Sequence, residues 1–352
     1  LSDPAIALPT DHFNPLAFTG TGAVTKNVTG VGFQPDFVWL KARADVASYA
    51  LFDSVRGTNK VLNSNTTGAE GSDSGAGFSA FDSDGFTVIE QVSAAGTINS
   101  STGMISWNWK AGGTASTIAA GSIDGTNPTI ASSVSANTTA GFSIASYTGN
   151  NTAEATIGHG LSQTPDWVIV KDRDNNATQW VHNPRGALGA NYYGYFYAGA
   201  FAADTSNVFW YDPTASIVKV SAHAEVNASA TDYIMYCFHS VEGYSKVGSF
   251  VGNGNADGTF IYTGFKPAFL MVKKLSGDDW MMQDDARSPY NAVEKSLAAN
   301  DSKAEIDAST KGIDFCSNGV KMRNADNGLN QSGSTFIYLA FAESPFKTSN
   351  AR

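Results

Sequence analysis

The sequence predicts an all-β protein made of three tandem β-sandwich-like units of about 100 residues, the product of an internal triplication. Three observations lead there. A Pro-led apolar run occurs three times: Gly32-Phe-Gln-Pro-Asp-Phe-Val-Trp-Leu-Lys41, Leu161-Ser-Gln-Thr-Pro-Asp-Trp-Val-Ile-Val-Lys171 and Gly264-Phe-Lys-Pro-Ala-Phe-Leu-Met-Val-Lys273. From Pro35, Pro165 and Pro267 an arginine follows at 21, 20 and 20 residues, giving Arg56, Arg185 and Arg287. An aromatic closing run follows at 74, 73 and 74 residues, marked by Trp109, Phe238 and Phe341. Chance does not hold such offsets constant.

The elements follow in order. Phe18-Thr-Gly-Thr-Gly, Tyr147-Thr-Gly-Asn-Asn and Phe250-Val-Gly-Asn-Gly open the units. Each Pro-led run is short and β-branched or aromatic, which suits a strand buried on both faces. Ser83-Asp-Gly-Phe-Thr-Val and Ser317-Asn-Gly-Val-Lys-Met place a glycine where a tight hairpin favours positive φ. Ile105-Ser-Trp-Asn-Trp109, Tyr233-Ile-Met-Tyr-Cys-Phe238 and Phe336-Ile-Tyr-Leu-Ala-Phe341 read as central closing strands. Asn291-Ala-Val-Glu-Lys-Ser-Leu-Ala-Ala is the one helix candidate. The predicted boundaries are 1–113 for unit 1, 114–140 for a Ser/Thr/Gly-rich linker, 141–243 for unit 2 and 244–352 for unit 3. Units 2 and 3, joined through Glu242-Gly-Tyr-Ser-Lys246, are expected to pack as a pair.

Composition narrows the function classes. Of 352 residues only 15% are charged, and the net charge is −10, so nucleic-acid binding lacks the clustered basic residues it needs. With 7 Trp, 13 Tyr and 21 Phe the chain is too aromatic to be disordered. It has neither a Gly-X-Y period nor heptads, which excludes collagen and a coiled-coil shaft. No apolar run approaches the length of a membrane-spanning helix, and membrane insertion is not expected. The chain opens on Leu1 without a signal segment and is read as trimmed from something longer, so its start gives no compartment. Cys237 and Cys316 sit in apolar strand-like runs and are expected to be buried free thiols.

The run Phe33-Gln-Pro-Asp-Phe-Val-Trp-Leu-Lys41, then Leu51-Phe-Asp-Ser-Val-Arg-Gly-Thr-Asn-Lys60, Ser64-Asn-Thr-Thr-Gly-Ala-Glu70, Trp107-Asn-Trp-Lys-Ala-Gly-Gly113, Cys237-Phe-His-Ser-Val-Glu-Gly-Tyr-Ser-Lys246 and Ala340-Phe-Ala-Glu-Ser-Pro-Phe-Lys347 carry a resemblance. They resemble a family of tailed-bacteriophage virion proteins, common in marine and cyanobacterial phages and labelled tail fibre or uncharacterised structural protein. The resemblance covers nearly the whole chain, with the motifs in order. It implies a virion component on the tail or capsid surface and supplies no catalytic residue. The middle unit departs most: Gly189-Ala-Asn-Tyr-Tyr-Gly-Tyr-Phe-Tyr197 stands where unit 1 has its Ser-Asn-Thr-Thr segment.

Chemistry-bearing patterns are few. The five histidines lack the spacing of a zinc helix, neither cysteine has a CxxC partner, and no nucleophile elbow or phosphate loop occurs. No catalytic residue, metal ligand or cofactor is therefore predicted. Asp172-Arg-Asp-Asn-Asn176 and Asp82-Ser-Asp-Gly85 have the oxygen-rich look of calcium loops, but read as turns. Three residues before each repeated arginine stand Asp53, His182 and Asp284, read as a structural pair inherited by every unit rather than a ligand site. The aromatic segment carries the one site prediction. Alternation places Tyr193, Tyr195 and Tyr197 on one side of a strand with Trp210 nearby, and they either bind a sugar or protein surface or fill a sandwich core.

The expectation is a non-enzymatic structural protein of the virion: a tail-fibre or receptor-binding component for host attachment. Alternatives are a capsid-surface decoration or head fibre, and a host-glycan depolymerase. Expected partners are other virion proteins, a host surface glycan or protein, and further copies of the chain, with a homotrimer favoured.

Overall fold

The computed structural model describes residues 4–22, 24–72, 77–89, 97–189 and 191–346. Strands hold 43% of the residues and helices 5%, so the class is all-β. Unit 1 contains β1 (Phe13–Phe18), β2 (Lys26–Thr29), β3 (Phe37–Ala42), β4 (Ala50–Asp53), β5 (Lys60–Val61), β6 (Gly71–Ser72), β7 (Phe78–Asp82), β8 (Gly85–Val88) and β9 (Met104–Trp109). Its large sheet runs β1-β9-β3-β4 and its small sheet β2-β8-β7.

Between units 1 and 2 lie β10 (Ser116–Ile118) and β11 (Ser132–Asn137). Unit 2 continues with β12 (Phe142–Thr148), β13 (Ala155–Gly158), β14 (Trp167–Asp172), β15 (Trp180–Asn183), β16 (Tyr192–Tyr195), β17 (Ala202–Ala203), β18 (Trp210–Tyr211), β19 (Ile217–Val220) and β20 (Asp232–Phe238). The order is β10-β11-β12-β20-β14-β15-β16-β17 in the large sheet and β13-β19-β18 in the small one. Unit 3 has β21 (Ser245–Val251), β22 (Phe260–Tyr262), β23 (Phe265–Lys274), β24 (Met281–Asp284), β25 (Lys295–Ala298), β26 (Ile306–Asp307), β27 (Ile313–Cys316), β28 (Gly319–Met322) and β29 (Thr335–Pro345). Its sheets run β21-β29-β23-β24-β25-β26 and β22-β28-β27.

One strand order thus occurs three times, and the registers coincide. The residue two after each shared proline faces the closing aromatic: Phe37 opposite Trp109, Trp167 opposite Phe238, and Phe269 opposite Phe341. Pro267 itself sits at a register shift inside β23, a place where a residue without an N–H is tolerated in a central strand.

Each large sheet is buried on both faces, which is why its central strands read as unbroken apolar runs. The outward faces meet the small sheets to form three separate sandwich cores. Val38 and Leu40 pack with Val28 and Phe86, Val168 and Val170 with Ile157 and Val218, and Leu270 and Val272 with Ile261 and Val320. The inward faces share a single aromatic core. There Phe13 lies 4.7 Å from Phe341, Phe37 4.6 Å from Tyr236, and Trp107 5.9 Å from Phe269, each contact crossing between units. The three sandwiches therefore close into a ring around common hydrophobic contents. Every pair of units touches; units 2 and 3 are not a privileged pair.

Several expectations are corrected. The 114–140 stretch is more than a linker: β10 and β11 extend the large sheet of unit 2, with Ser132–Asn137 paired along Phe142–Tyr147. The Asn291–Ala299 helix candidate contains strand β25, held between β24 and β26; its sheet neighbours override a modest helix propensity. Of the two hairpin glycines, Gly85 has the expected positive φ and Gly319 does not, but both are held by close approach. A Cβ on Gly85 or Gly319 would lie 2.0 or 2.2 Å from the carbonyl oxygen of Val28 or Ile261 on the adjoining strand. Gly85 has φ +147°, whereas at Gly319 close approach alone is the constraint. Both cysteines are free, Cys237 buried and Cys316 only partly so.

Candidate functional site

The predicted tyrosine segment lies in β16 and the turn after it. Val181 pairs with Tyr195, and Tyr193 pairs with Ala202 on the other side. A Cβ on Gly194 would fall 2.5 Å from the Phe201 ring, so any larger residue there requires that ring to move. Alternation sends Tyr193 and Tyr195 to one face as predicted. Their rings are 5.8 Å apart, and Tyr193 lies 4.7 Å from Phe209 at the edge of the unit 2 sandwich core. Tyr197 continues the ladder 5.4 Å from Tyr195 and is 44% exposed. Phe196 turns the opposite way into the central core, 5.1 Å from Trp280 and 4.1 Å from His182.

Tyr193 and Tyr195 are half-buried, and burial together with nearby Glu225 pushes the Tyr195 phenol well above its ordinary pKa. It therefore acts as a neutral hydroxyl on an aromatic face. Trp210 does not join this surface: it is 2% exposed, paired opposite Val220 and packed in the sandwich core. Trp210 belongs to the small sheet and faces the large one, a pairing of sheets invisible in sequence, and this overturns that assignment. The two candidate calcium loops form turns. The Asp172 carboxylate accepts from the Asp174 and Asn175 amides at 2.8 and 3.0 Å, and that of Asp84 from Gly30 and Gly32 at 3.1 and 2.7 Å. Among the described residues no group of three metal-ligating side chains converges.

The backbone of the tyrosine segment is clamped from unit 3. Trp280 Nε1 donates to Tyr195 O at 2.8 Å, Lys273 Nζ to Tyr197 O at 3.1 Å, and Phe201 N to Leu275 O at 2.9 Å. The counterpart clamp joins units 2 and 1: Trp180 Nε1 to Asn63 O at 2.9 Å, Lys171 Nζ to Thr67 O at 3.2 Å, and Glu70 N to Arg173 O at 2.7 Å. The tyrosines therefore occupy the structural place of the Ser-Asn-Thr-Thr segment, at a junction between units.

The charged side chains that the repeat spacing singled out sit at these junctions too. Between units 1 and 2, Arg56 Nε contacts Asp53 Oδ2 at 2.5 Å and its Nη1 reaches Glu70 at 3.2 Å, while Tyr236 donates its hydroxyl to Asp53 at 2.7 Å. Arg173 completes the network at 2.9 Å from Glu70. Between units 3 and 1 the same geometry recurs with Arg287 on Asp284 (2.7 Å) and Glu305 (3.2 Å), Trp107 Nε1 on Asp284 (3.0 Å), and Arg43 on Glu305 (2.8 Å). Burial opposes the charge on Glu70 and Glu305, yet their arginines hold both carboxyls below the usual range. These are structural pairs, as expected for Asp53 and Asp284.

The middle unit breaks the pattern. Gly57 N donates to Asp53 O, Ser288 N to Asp284 O and Gly189 N to Arg185 O, so Arg185 occupies the backbone place of the aspartates, not of the arginines. Its Nε lies 4.0 Å from the exposed Asp212. His182 is buried and accepts from Trp167 Nε1 at 3.2 Å instead of pairing with Arg185. The place of Arg56 falls to Leu188, that of Glu70 to Phe201, that of Arg173 to Leu275 and that of Tyr236 to Leu339, all packed in or against the central core. Three of the four junction positions were legible only once the chain was folded, because their partners lie more than a hundred residues away.

A ring of three β-sandwiches that presents an aromatic ladder on a braced backbone defines an all-β protein. The chain belongs to the family described as Domain of unknown function (DUF7483), which matches residues 8–345. No curated protein and no solved structure matches it.

Proposed function

We propose that this chain is a non-enzymatic bacteriophage virion protein, a tail-fibre or receptor-binding component that contacts the host surface through the tyrosine ladder. The observation that supports this reading is the contrast between braced backbone and open rings. Trp280 and Lys273 hold Tyr195 and Tyr197 by their carbonyls, while the Tyr197 ring stands out with the Tyr193 and Tyr195 phenols behind it. Aromatic faces held rigid bind sugars or protein surfaces at low entropic cost. Self-association into a homotrimer belongs to the same reading, since several weak sites presented together raise avidity.

The test replaces Tyr197 by Ser, alone and with Tyr195→Ser, in the phage. Lost host adsorption with an unchanged melting temperature supports the reading; unchanged adsorption by a stable double variant overturns the site. Light scattering on the purified chain checks the trimer. A second reading, a capsid-surface decoration or head fibre, draws support from the closed ring, which resembles a compact knob more than a shaft. Gold labelling of the chain on intact virions separates the two.

A further inference from the structure

The three small sheets have equivalent edge strands, β2, β13 and β22, and the protein treats each edge differently. Ile157 opposite Val218, Ile261 opposite Val320 and Val28 opposite Phe86 fix the equivalence. In unit 1 the outward residues are polar, Asn27 and Thr29, a common way to blunt an edge. In unit 2 the edge is covered by the chain itself. Ile130 bridges Ile157 in parallel, Ile130 N donates to Thr156 O at 3.0 Å, Thr129 N and Thr156 N each donate to the other residue's hydroxyl at 2.8 Å, and Ser132 Oγ donates to Gly158 O at 2.8 Å. The same segment then enters the large sheet as β11 beside β12, so Pro128–Asn137 closes that whole side of the sandwich.

In unit 3 no described residue covers this side. The connection from β20 to β21 is too short to supply a cover, and β21 and β22 are both terminal strands of their sheets. Met322 N donates to Thr259 O and Thr263 N to Asn318 O, which by alternation points the backbone groups of Phe260 and Tyr262 away from β28. The rim is apolar: Phe260 is 44% exposed, Tyr262 56% and Val251 55%. Beside it opens a cavity of about 330 Å³ bounded by Lys246, Tyr262, Gly264 and Phe346. Lys246 spans its mouth, donating to Tyr262 O at 2.9 Å.

The geometry points to strand addition: the open side of unit 3 receives an extended segment of a partner polypeptide, as unit 2 receives Pro128–Asn137. The occupant is an uncharged run of small and β-branched residues with one aliphatic side chain set against Ile261, because that is what closes the equivalent edge in unit 2. Main-chain hydrogen bonds to Phe260 supply affinity and the cavity supplies side-chain selection. The inference concerns a different unit from the tyrosine ladder and stands apart from the function proposed above.

A fluorescent peptide of the sequence Pro128–Asn137, titrated into the full chain and read by anisotropy, is the test. Saturable binding is expected, together with slowed hydrogen exchange at the Phe260 and Tyr262 amides. The variant Phe260→Asn/Tyr262→Thr, which copies the unit 1 edge at exposed positions, should keep its melting temperature and weaken binding at least about tenfold, or 1.4 kcal/mol. A peptide with proline in place of Ile130 should not bind. No saturation by about 1 mM peptide, a millimolar Kd being the weak limit, overturns the proposal. So does equal binding by the variant, or a Phe260 amide already protected in a dimer of the chain, which would make a second copy the occupant.

Discussion

The junctions between units 1 and 2 and between units 3 and 1 are ionic, whereas the junction between units 2 and 3 is greasy. All three share one backbone hydrogen bond, from Glu70 N to Arg173 O, Glu305 N to Arg43 O and Phe201 N to Leu275 O. At the first two, an arginine is held between an aspartate of its own loop and a glutamate, and a second arginine arrives from the neighbour. At the third, Leu188, Phe201, Leu275 and Leu339 fill the same places. The lesson is that the fold demands filled volume at a junction and tolerates either chemistry, provided it is complete. A buried ion network and its apolar replacement can be of similar stability, while a half-removed network is costly. One charge survives at every junction: Lys41, Lys171 and Lys273 are all buried, the latter two bonded to carbonyls of the neighbouring unit.

The sharpest way to break the comparison is to remove one partner. Asp53→Ala or Asp284→Ala strands a buried arginine and should cost about 3–5 kcal/mol in guanidinium unfolding. Leu339→Ala at the apolar junction leaves a cavity without a stranded charge and should cost about 2–5 kcal/mol. A wholesale exchange should cost far less than either. Arg56→Leu, Glu70→Phe, Arg173→Leu and Tyr236→Leu give the first junction the apolar side chains of the third, Asp53→Asn removes the remaining charge, and stability should stay within about 2 kcal/mol of the parent. A loss as large as the single Asp53→Ala change would show that the ionic geometry itself is required.

The pH dependence refines the contrast. Glu70 and Glu305 have folded pKa values below the unfolded 4.5, so their contribution is present above that pH and fades as acid protonates them in the fold. The parent should lose more of its unfolding midpoint between pH 5 and 3 than the five-residue exchange does. The lysines give the smallest effect, with a slope of the same sign at the alkaline end of the range. Burial lowers each from 10.5 to about 8, so above pH 8 the unfolded chain binds more protons and stability rises with pH. Between pH 8 and 9 the midpoint should climb, and Lys273→Met should remove about one third of that slope.

Much of the fold is legible in the sequence because strand spacing is local. The Pro-to-aromatic offsets capture the register of the central strand pairs, and the apolar runs announce strands buried on both sides. The junctions are illegible because their partners are remote: Arg43 meets Glu305 across 262 positions, and Arg56 meets Tyr236 across 180. Spacing even misleads where a loop is resized. Asn183 pairs with Val168 as Phe52 pairs with Val38, but Pro184 intervenes before the loop begins, so Arg185 imitates the offset of Arg56 without its role. In the candidate site, alternation correctly ranks Tyr193, Tyr195 and Tyr197 together. It cannot show that a second sheet closes over Trp210.

The ring also constrains how the chain can be made. Unit 1 leaves the ribosome first, yet Phe13 stacks on Phe341, Ser64 bonds to Ala299 and Arg43 waits for Glu305. Unit 2 covers part of the inward aromatic face of unit 1, through Phe37 on Tyr236, but the part around Phe13 has no native cover until the last strand, β29, is translated. Contacts of such long separation fold slowly and leave sticky intermediates. A nascent chain stalled after unit 2 should hold its outer sandwich cores yet depend on chaperones, and truncating β29 should cost soluble yield more than deleting any solvent-facing loop.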